Sequence, residues 1–371
     1  MFIPVNEPLL GAEELANVTT AVKTGWISSE GKFVKQFEDE FAGYIGVKYG
    51  VAVCNGTAAL HLALATLGIG KGDEVIVPAF TMIASVYAII YCGATPVLVD
   101  ADPETWCMDV SQIEKKITRK TKAIMPVHIY GHPVDMDPLL EIAKKHKLII
   151  VEDAAEIHGG EYKGRKAGGL GEIGCFSFYA NKIITTGEGG MLVTNDQDIY
   201  EKAKILRNMA FSEGKRYIHY EIGFNYRMTN LQAAVGLGQL HQVKKLLEIK
   251  IRNAHSYNEK LKHIPGITLP VQKPWAKNVY WMYSILIEKD FGLPAGQVQA
   301  KLKEMGVDTR ALFVPMHQQP VLLKMGLFSR EKYPVSEELS QKGFYLPSGT
   351  ALTEEQIEVV CQSLAQIKKQ H

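Results

Sequence analysis

From about residue 50 to residue 195 the chain alternates between short β-branched apolar runs and longer stretches of helical character. The stretch "GTAALHLALATLG" (56–68) is apolar nearly all round, which predicts a buried helix closed by Gly68. After it come the runs "DEVIVP", "TPVLVD", "KAIMPVHIY" and "LIIVED", separated by the helical stretches "TMIASVYAIIYCG" and "MDPLLEIAKKHK". Strands that are apolar on both faces and alternate with helices predict a parallel sheet covered by helices. Ligands of such sheets sit outside the carboxyl ends of the strands, so the residues just after each apolar run are the ones to inspect.

Thr229 opens a further helix, and Gln232 three residues on completes a capping box. The helix reads on through "QAAVGLGQLHQVKKLLEIKIRNAHSYNEKL" as a single element of the length that bridges two domains. Beyond it "YWMYSILIEKD" and "TRALFV" read as strands and "AGQVQAKLKEMG" as a helix. The last helix starts at Thr353 with a second capping box through Gln356, and Ile357, Val360, Cys361, Leu364 and Ile367 form its apolar face. The expected organisation is a large α/β domain over 1–249 and a smaller α+β domain over 250–371.

Composition narrows the function classes. The 371 residues carry a net charge of +1 with both signs interspersed, which gives no field for nucleic acid or an anionic membrane. The start lacks a secretory pattern, and the longest apolar stretches contain Gly and Pro and are too short to span a bilayer. The five cysteines are scattered and never spaced as CxxC. These features predict a soluble cytoplasmic protein with no nucleic-acid or membrane partner.

Asp153 follows "KLIIV" and Glu152, so it emerges at the carboxyl end of a buried strand. It is either a cap or loop carboxylate, or a buried anion facing a cationic ring nitrogen, which a fixed negative charge keeps protonated. Lys182 sits among aromatic, aliphatic and small residues in "SFYANKIITTGEGGM" (177–191). It is either a solvated surface lysine or one held among apolar groups, where it loses its proton more easily and can form a Schiff base. A Schiff-base lysine with an acidic partner is the pairing that pyridoxal phosphate requires. Its phosphate could be met at "NGTAAL", where Gly56 allows close backbone approach and Thr57 offers a hydroxyl at a helix amino end. Ser177 could add a second hydroxyl. "HIYGHPVDMD" gathers His128, His132, Asp135 and Asp137, but Gly131 and Pro133 break the helical face that paired ligands need, so no metal is expected.

Taken together, "CNGTAALHLAL", "GDEVIVPAFT", "GATPVLVD", "TKAIMPVHIYG", "EDAAEIHG", "FSFYANKIITTGEGGM" and "GFNYRMTNLQAA" resemble the DegT/DnrJ/EryC1/StrS family of sugar aminotransferases. The likeness runs from "IPVNEP" to "LPSGTALTEEQ", essentially the full chain. It implies the fold-type I architecture, with a mostly parallel seven-stranded sheet between helices in the large domain, and a homodimer whose active sites are shared between subunits. It also implies pyridoxal 5'-phosphate as cofactor, passing through pyridoxamine 5'-phosphate. Lys182 then binds the cofactor, Asp153 partners the ring nitrogen, and Gly56, Thr57 and Ser177 receive the phosphate. Asn225 matches the phosphate contact that comes from the other subunit, and Arg227 a substrate contact. Glu156 stands where many relatives have Gln beside the ring hydroxyl. Met82 stands where many have an aromatic side chain over the ring, and a thioether can still pack on a π-face.

Within the family, "TGWISSEGKFVKQFE", "NKIITTGEGGM" and "GKRY…GFNYRMTN" are most similar to the members that aminate GDP-4-keto-6-deoxymannose to GDP-perosamine, with L-glutamate as donor and 2-oxoglutarate as by-product. That likeness implies a role in making O-antigen sugars of lipopolysaccharide. The competing readings are an aminotransferase on a UDP- or dTDP-linked keto sugar and a non-catalytic regulator on the same fold. His158, His317 and Tyr345 receive no role.

Overall fold

The computed structural model describes residues 2–211 and 217–371. The "GKRY" of the sequence reading falls largely outside them. In chain order the first strands are β1 (Tyr49–Val53), β2 (Glu74–Pro78), β3 (Thr95–Val99), β4 (Thr121–Ile124) and β5 (Ile149–Asp153). Two short strands follow, β6 (Glu161–Tyr162) and β7 (Arg165–Lys166), and then β8 (Ile173–Ser177) and β9 (Gly190–Thr194).

Seven of these form one sheet in the order β1-β9-β8-β5-β4-β2-β3. β9 runs antiparallel to both neighbours and the other pairings are parallel, which is the mostly parallel sheet expected. Alternate residues of a strand enter opposite layers, because successive side chains of a pleated strand point to opposite faces. Ile76 and Phe176 join the cluster built around Phe37, Phe41 and Phe178. Their neighbours Val75, Val77 and Cys175 join the cluster on the other side, with Leu62 and Leu64.

Leu62 and Leu64 belong to the helix Gly56–Thr66, which is buried almost all round and closed by Gly68 at φ +71°. Both side chains are fully enclosed, each contributing about 2 kcal/mol of transfer free energy. The helix therefore sits rigidly on the sheet with its amino end at the carboxyl ends of the strands.

The stretch expected as one long helix is two, Asn230–His241 and Val243–Leu261, broken at Gln242 (φ −98°, ψ 2°). Gln239 and Gln242 both donate to the buried carboxylate of Glu14, and that anchor sits at the break. The second helix passes through residue 250. Both expected capping boxes form, Thr229 with Gln232 and Thr353 with Gln356.

The later strands are β10 (Ile267–Thr268), β11 (Ala276–Lys277), β12 (Tyr283–Ile287), β13 (Arg310–Ala311) and β14 (Gly343–Leu346). Four of them make an antiparallel sheet in the order β10-β12-β14-β13, and β11 pairs with β6. "TRALFV" thus contributes only Arg310 and Ala311 as strand. A third cluster, with Tyr257, Phe291, Phe344 and Leu364, fills this part and takes in Ile3 from the other end of the chain. The Ile3 amide donates to the Gly306 carbonyl, and the Ser348 amide donates to that of Val5. Among the described residues no helix is long and apolar enough to cross a membrane.

Candidate active site

β5 ends in two adjacent carboxylates that point to opposite faces. Glu152 accepts from the amides of Gly168, Leu170 and Gly171, each at 2.7 Å, and from Nε2 of His128 at 2.9 Å. Burial opposes its ionisation, but His128 and the amides outweigh burial and hold the carboxyl below its ordinary range. Glu152 is thereby committed to structure. His128, one of the four residues weighed as metal ligands, has its ring used here and in accepting from the Val134 amide.

Asp153 faces the other way. Its Oδ2 accepts from the Ser85 hydroxyl at 2.7 Å and its Oδ1 from the Ala155 amide at 3.2 Å. Ser85 is in turn 2.9 Å from the Thr81 hydroxyl. Burial pushes the Asp153 carboxyl up despite Ser85, Ala155 and the Lys182 charge, so a cation on its free side would favour the ionised form.

Lys182 lies on a loop between β8 and β9 that is closed by its own backbone. Its amide donates to Tyr179 and that of Thr186 to Phe178. The Ile184 amide donates to Nδ1 of buried His158 at 3.1 Å, and the Asn181 carbonyl accepts from the Trp281 indole at 2.8 Å. The Lys182 ammonium stands 3.5 Å from the centroid of the Trp281 ring. Burial pushes the lysine down from its ordinary range while Glu156 and Asp153 pull it back up. Glu156, buried nearby, accepts from the Tyr130 amide at 2.8 Å, and burial raises it against the pull of Lys182. Tyr130 itself adopts φ +50°, an uncommon backbone state for a bulky residue and one that clusters at functional sites.

A cavity of about 510 Å³ joins these groups. Of the residues expected from the sequence, Gly56, Thr57, Met82, Asp153, Glu156, Ser177 and Lys182 all line it. Gly56 opens the buried helix beside Ser177, and a Cβ at Gly56 would come within 2.7 Å of the Ser177 Cβ. Asn55 caps the helix through Ala58, which leaves the first amides directed outward as an anion seat. Met82 is half exposed at the start of the helix Ile83–Tyr91, on the cavity wall.

Asn225 and Arg227 stand apart within this chain. Arg227 donates to Asn225 and Asn208, and it borders a second cavity with Glu38 and Arg207. Asn225 is exposed.

Sequence reasoning passed over Ser85, Tyr130, Trp281 and Phe313 and gave Tyr345 no role. Trp281, Phe313 and Tyr345 come from the C-terminal part and line the same cavity. Tyr130 stacks on Phe313 at 5.2 Å and 20°. His317 pairs with Glu337, away from the cavity.

The donor set fits pyridoxal phosphate: an anion seat at a helix amino end, a buried carboxylate calling for a cation, and between them a lysine pushed toward its neutral form.

The chain is 45% identical over 366 residues to GDP-perosamine synthase of Caulobacter vibrioides, covering 98% of each. It is 43% identical over 363 residues to GDP-perosamine synthase of Escherichia coli O157:H7, again covering 98% of each. Its fold matches DesV of S. venezuelae, solved in complex with a ketimine intermediate, at a TM-score of 0.90 and 34% identity over 99% of both chains. The sequence profile of the DegT/DnrJ/EryC1/StrS aminotransferase family matches residues 8–365. With that profile over nearly the whole length and these full-length identities, the chain belongs to the DegT/DnrJ/EryC1/StrS aminotransferase family.

Proposed function

We propose that this protein moves the amino group of L-glutamate to the C4 ketone of GDP-4-keto-6-deoxy-D-mannose, giving GDP-perosamine and 2-oxoglutarate. The observation that carries the substrate assignment is full-length identity of 45% and 43% to two GDP-perosamine synthases. Pyridoxal phosphate is the cofactor, and when bound it supplies an electron-withdrawing ring and an aldehyde carbon that exchanges amines.

The residues divide the remaining work. Lys182 would be the amine that holds the cofactor and, when free, the base that moves the proton at the carbon losing or gaining nitrogen. Asp153, held ready by Ser85, keeps the ring nitrogen protonated. Gly56, Thr57 and Ser177 seat the phosphate dianion, which orients the ring. With the cofactor bound, Met82 would offer a thioether to its ring and Glu156 a buried carboxyl to its polar groups. The protein acts as a cytoplasmic homodimer in which Asn225 of the partner subunit completes the phosphate seat and Arg227 meets the substrate. The exposed setting of Asn225 supports that reading.

Purified protein loaded with pyridoxal phosphate should show an imine absorbance that glutamate bleaches. It should then aminate the GDP-linked 4-keto sugar in preference to its UDP- and dTDP-linked counterparts, and Lys182→Ala should abolish turnover. Preference for a UDP- or dTDP-linked sugar would overturn the substrate assignment. A chromophore indifferent to glutamate would overturn the enzyme reading and leave a regulator.

A further inference from the structure

Trp281 is fixed at three points. Its indole N–H donates to the Asn181 carbonyl at 2.8 Å, one residue before Lys182. Its own carbonyl accepts from the buried Nζ of Lys250 at 2.6 Å. Its ring lies nearly parallel to that of Tyr130, at 6.2 Å and 16°. With both ends and its plane fixed, the indole presents a face to the cavity, and the Lys182 ammonium stands over that face at 3.5 Å from the ring centroid. Among the described residues the ammonium forms no hydrogen bond or ion pair, although Asp153 and Glu156 line the same cavity.

We propose that the indole face of Trp281 is the docking place of the Lys182 ammonium whenever the lysine is not joined to the cofactor. This rests on the reading of Lys182 as the cofactor-binding lysine and extends it to a residue from the C-terminal part of the chain. The physical advantage lies in the weakness of the contact. A carboxylate in direct contact would stabilise the ammonium strongly and would itself be taken from its own task. An aromatic face attracts the cation through the ring quadrupole and accepts no proton. The lysine is thus given a defined position from which it still deprotonates readily. Trp281 is a positioning residue in this scheme, acting through the amine. The other titratable groups around the amine are Asp153 at the end of β5, Glu156 three residues on, Glu188 and Tyr345 on the cavity wall, and His158 behind the loop. None of them is altered in the test below.

The test is the pH dependence of cofactor loading, because only the free amine attacks the aldehyde. The full-length chain is freed of cofactor and mixed with pyridoxal phosphate between pH 6 and 9, and imine absorbance gives the loading rate. Removing the π-face in Trp281→Leu should destabilise the ammonium, so that on the acid side of the profile loading becomes about threefold to tenfold faster than in wild type. Trp281→Phe keeps a weaker face and should fall between the two. Coincident profiles for wild type and Trp281→Leu would overturn the proposal. So would identical behaviour of the Phe and Leu variants, which would assign the effect to the lost indole N–H. Should Trp281→Leu not fold, Trp281→Phe alone carries the test, and an unmoved profile refutes the idea. Borohydride reduction and peptide mapping on each protein separate this from the underlying reading: cofactor found away from residue 182 would refute that reading, whatever the profiles show.

Discussion

The amide of Ile184 donates to Nδ1 of His158 at 3.1 Å, two residues beyond Lys182, so a buried imidazole holds the loop that carries the reactive amine. Because Nδ1 accepts, the neutral ring carries its proton on Nε2. Burial, reinforced by the Lys182 charge, pushes His158 down to about 3. Its folded value lies below its unfolded one, so between roughly pH 6.5 and pH 3 the unfolded chain binds the extra proton and stability falls as pH falls. The slope from this group reaches about 1.4 kcal/mol per pH unit. His158→Phe should lose that slope and, by stranding the Ile184 amide, cost about 1–3 kcal/mol near neutrality. Denaturant unfolding of both proteins from pH 8 to pH 4 checks both effects.

Ser85 donates to Asp153 at 2.7 Å inside the protein. Hydrogen bonds to a charged group contribute about 1.5–3 kcal/mol. Ser85→Ala should raise the Asp153 carboxyl further and weaken its hold on a ring cation, with cofactor affinity falling on the order of tenfold or more. Absorbance titration with pyridoxal phosphate measures this, and unchanged affinity would show that Ser85 has no part in the site.

A methyl group at position 56 would meet the Ser177 Cβ at 2.7 Å. Neither partner can move freely, since one opens a buried helix and the other ends a central strand. Gly56→Ala should therefore cost about 1–3 kcal/mol through overpacking. It should also displace the phosphate seat, so thermal melting and phosphate-dependent cofactor binding should both worsen.

Lys250 is buried, has no carboxylate partner among the described residues, and donates to the carbonyls of Trp281 and Ser348. A neutral amine has two N–H donors, which match the two carbonyls. Burial pushes the lysine down to about 7, below its unfolded value, so between pH 7 and about 10 the unfolded chain holds the extra proton. Stability contributed by this group rises with pH across that window, by up to about 1.4 kcal/mol per unit. Lys250→Met should abolish the rise and, by leaving two carbonyls unmet, cost about 1–3 kcal/mol for each. Unfolding free energies at pH 7 and pH 9.5 for both proteins decide the matter.

Where a signal was local, the chain could be read. The inner strands are apolar on both faces, and Thr229 and Thr353 carry their capping partners three residues on, so sheet type and helix starts were visible. The break at Gln242 was not, because no Gly or Pro marks it and its anchor, Glu14, is 228 residues away. The cavity divides in the same way. Gly56, Asp153, Ser177 and Lys182 follow apolar runs or open a helix, which is a local cue. Trp281, Phe313 and Tyr345 reach the cavity only through the packing of the C-terminal part against the sheet, and nothing in their own stretches points toward Lys182. Ser85 sits inside a helix and gains its meaning from Asp153, 68 positions on.

Ile3 and Val5 bond to Gly306 and Ser348, and Asn6 reaches the Asn181 carbonyl beside Lys182. Residues 3–6 thus stitch the C-terminal sheet's neighbourhood to the reactive loop. Cutting the gene near codon 250 would leave the later fragment without the Ile3 and Val5 contacts it takes from the earlier one. Complementation between such halves would depend on that short segment finding its distant partners again.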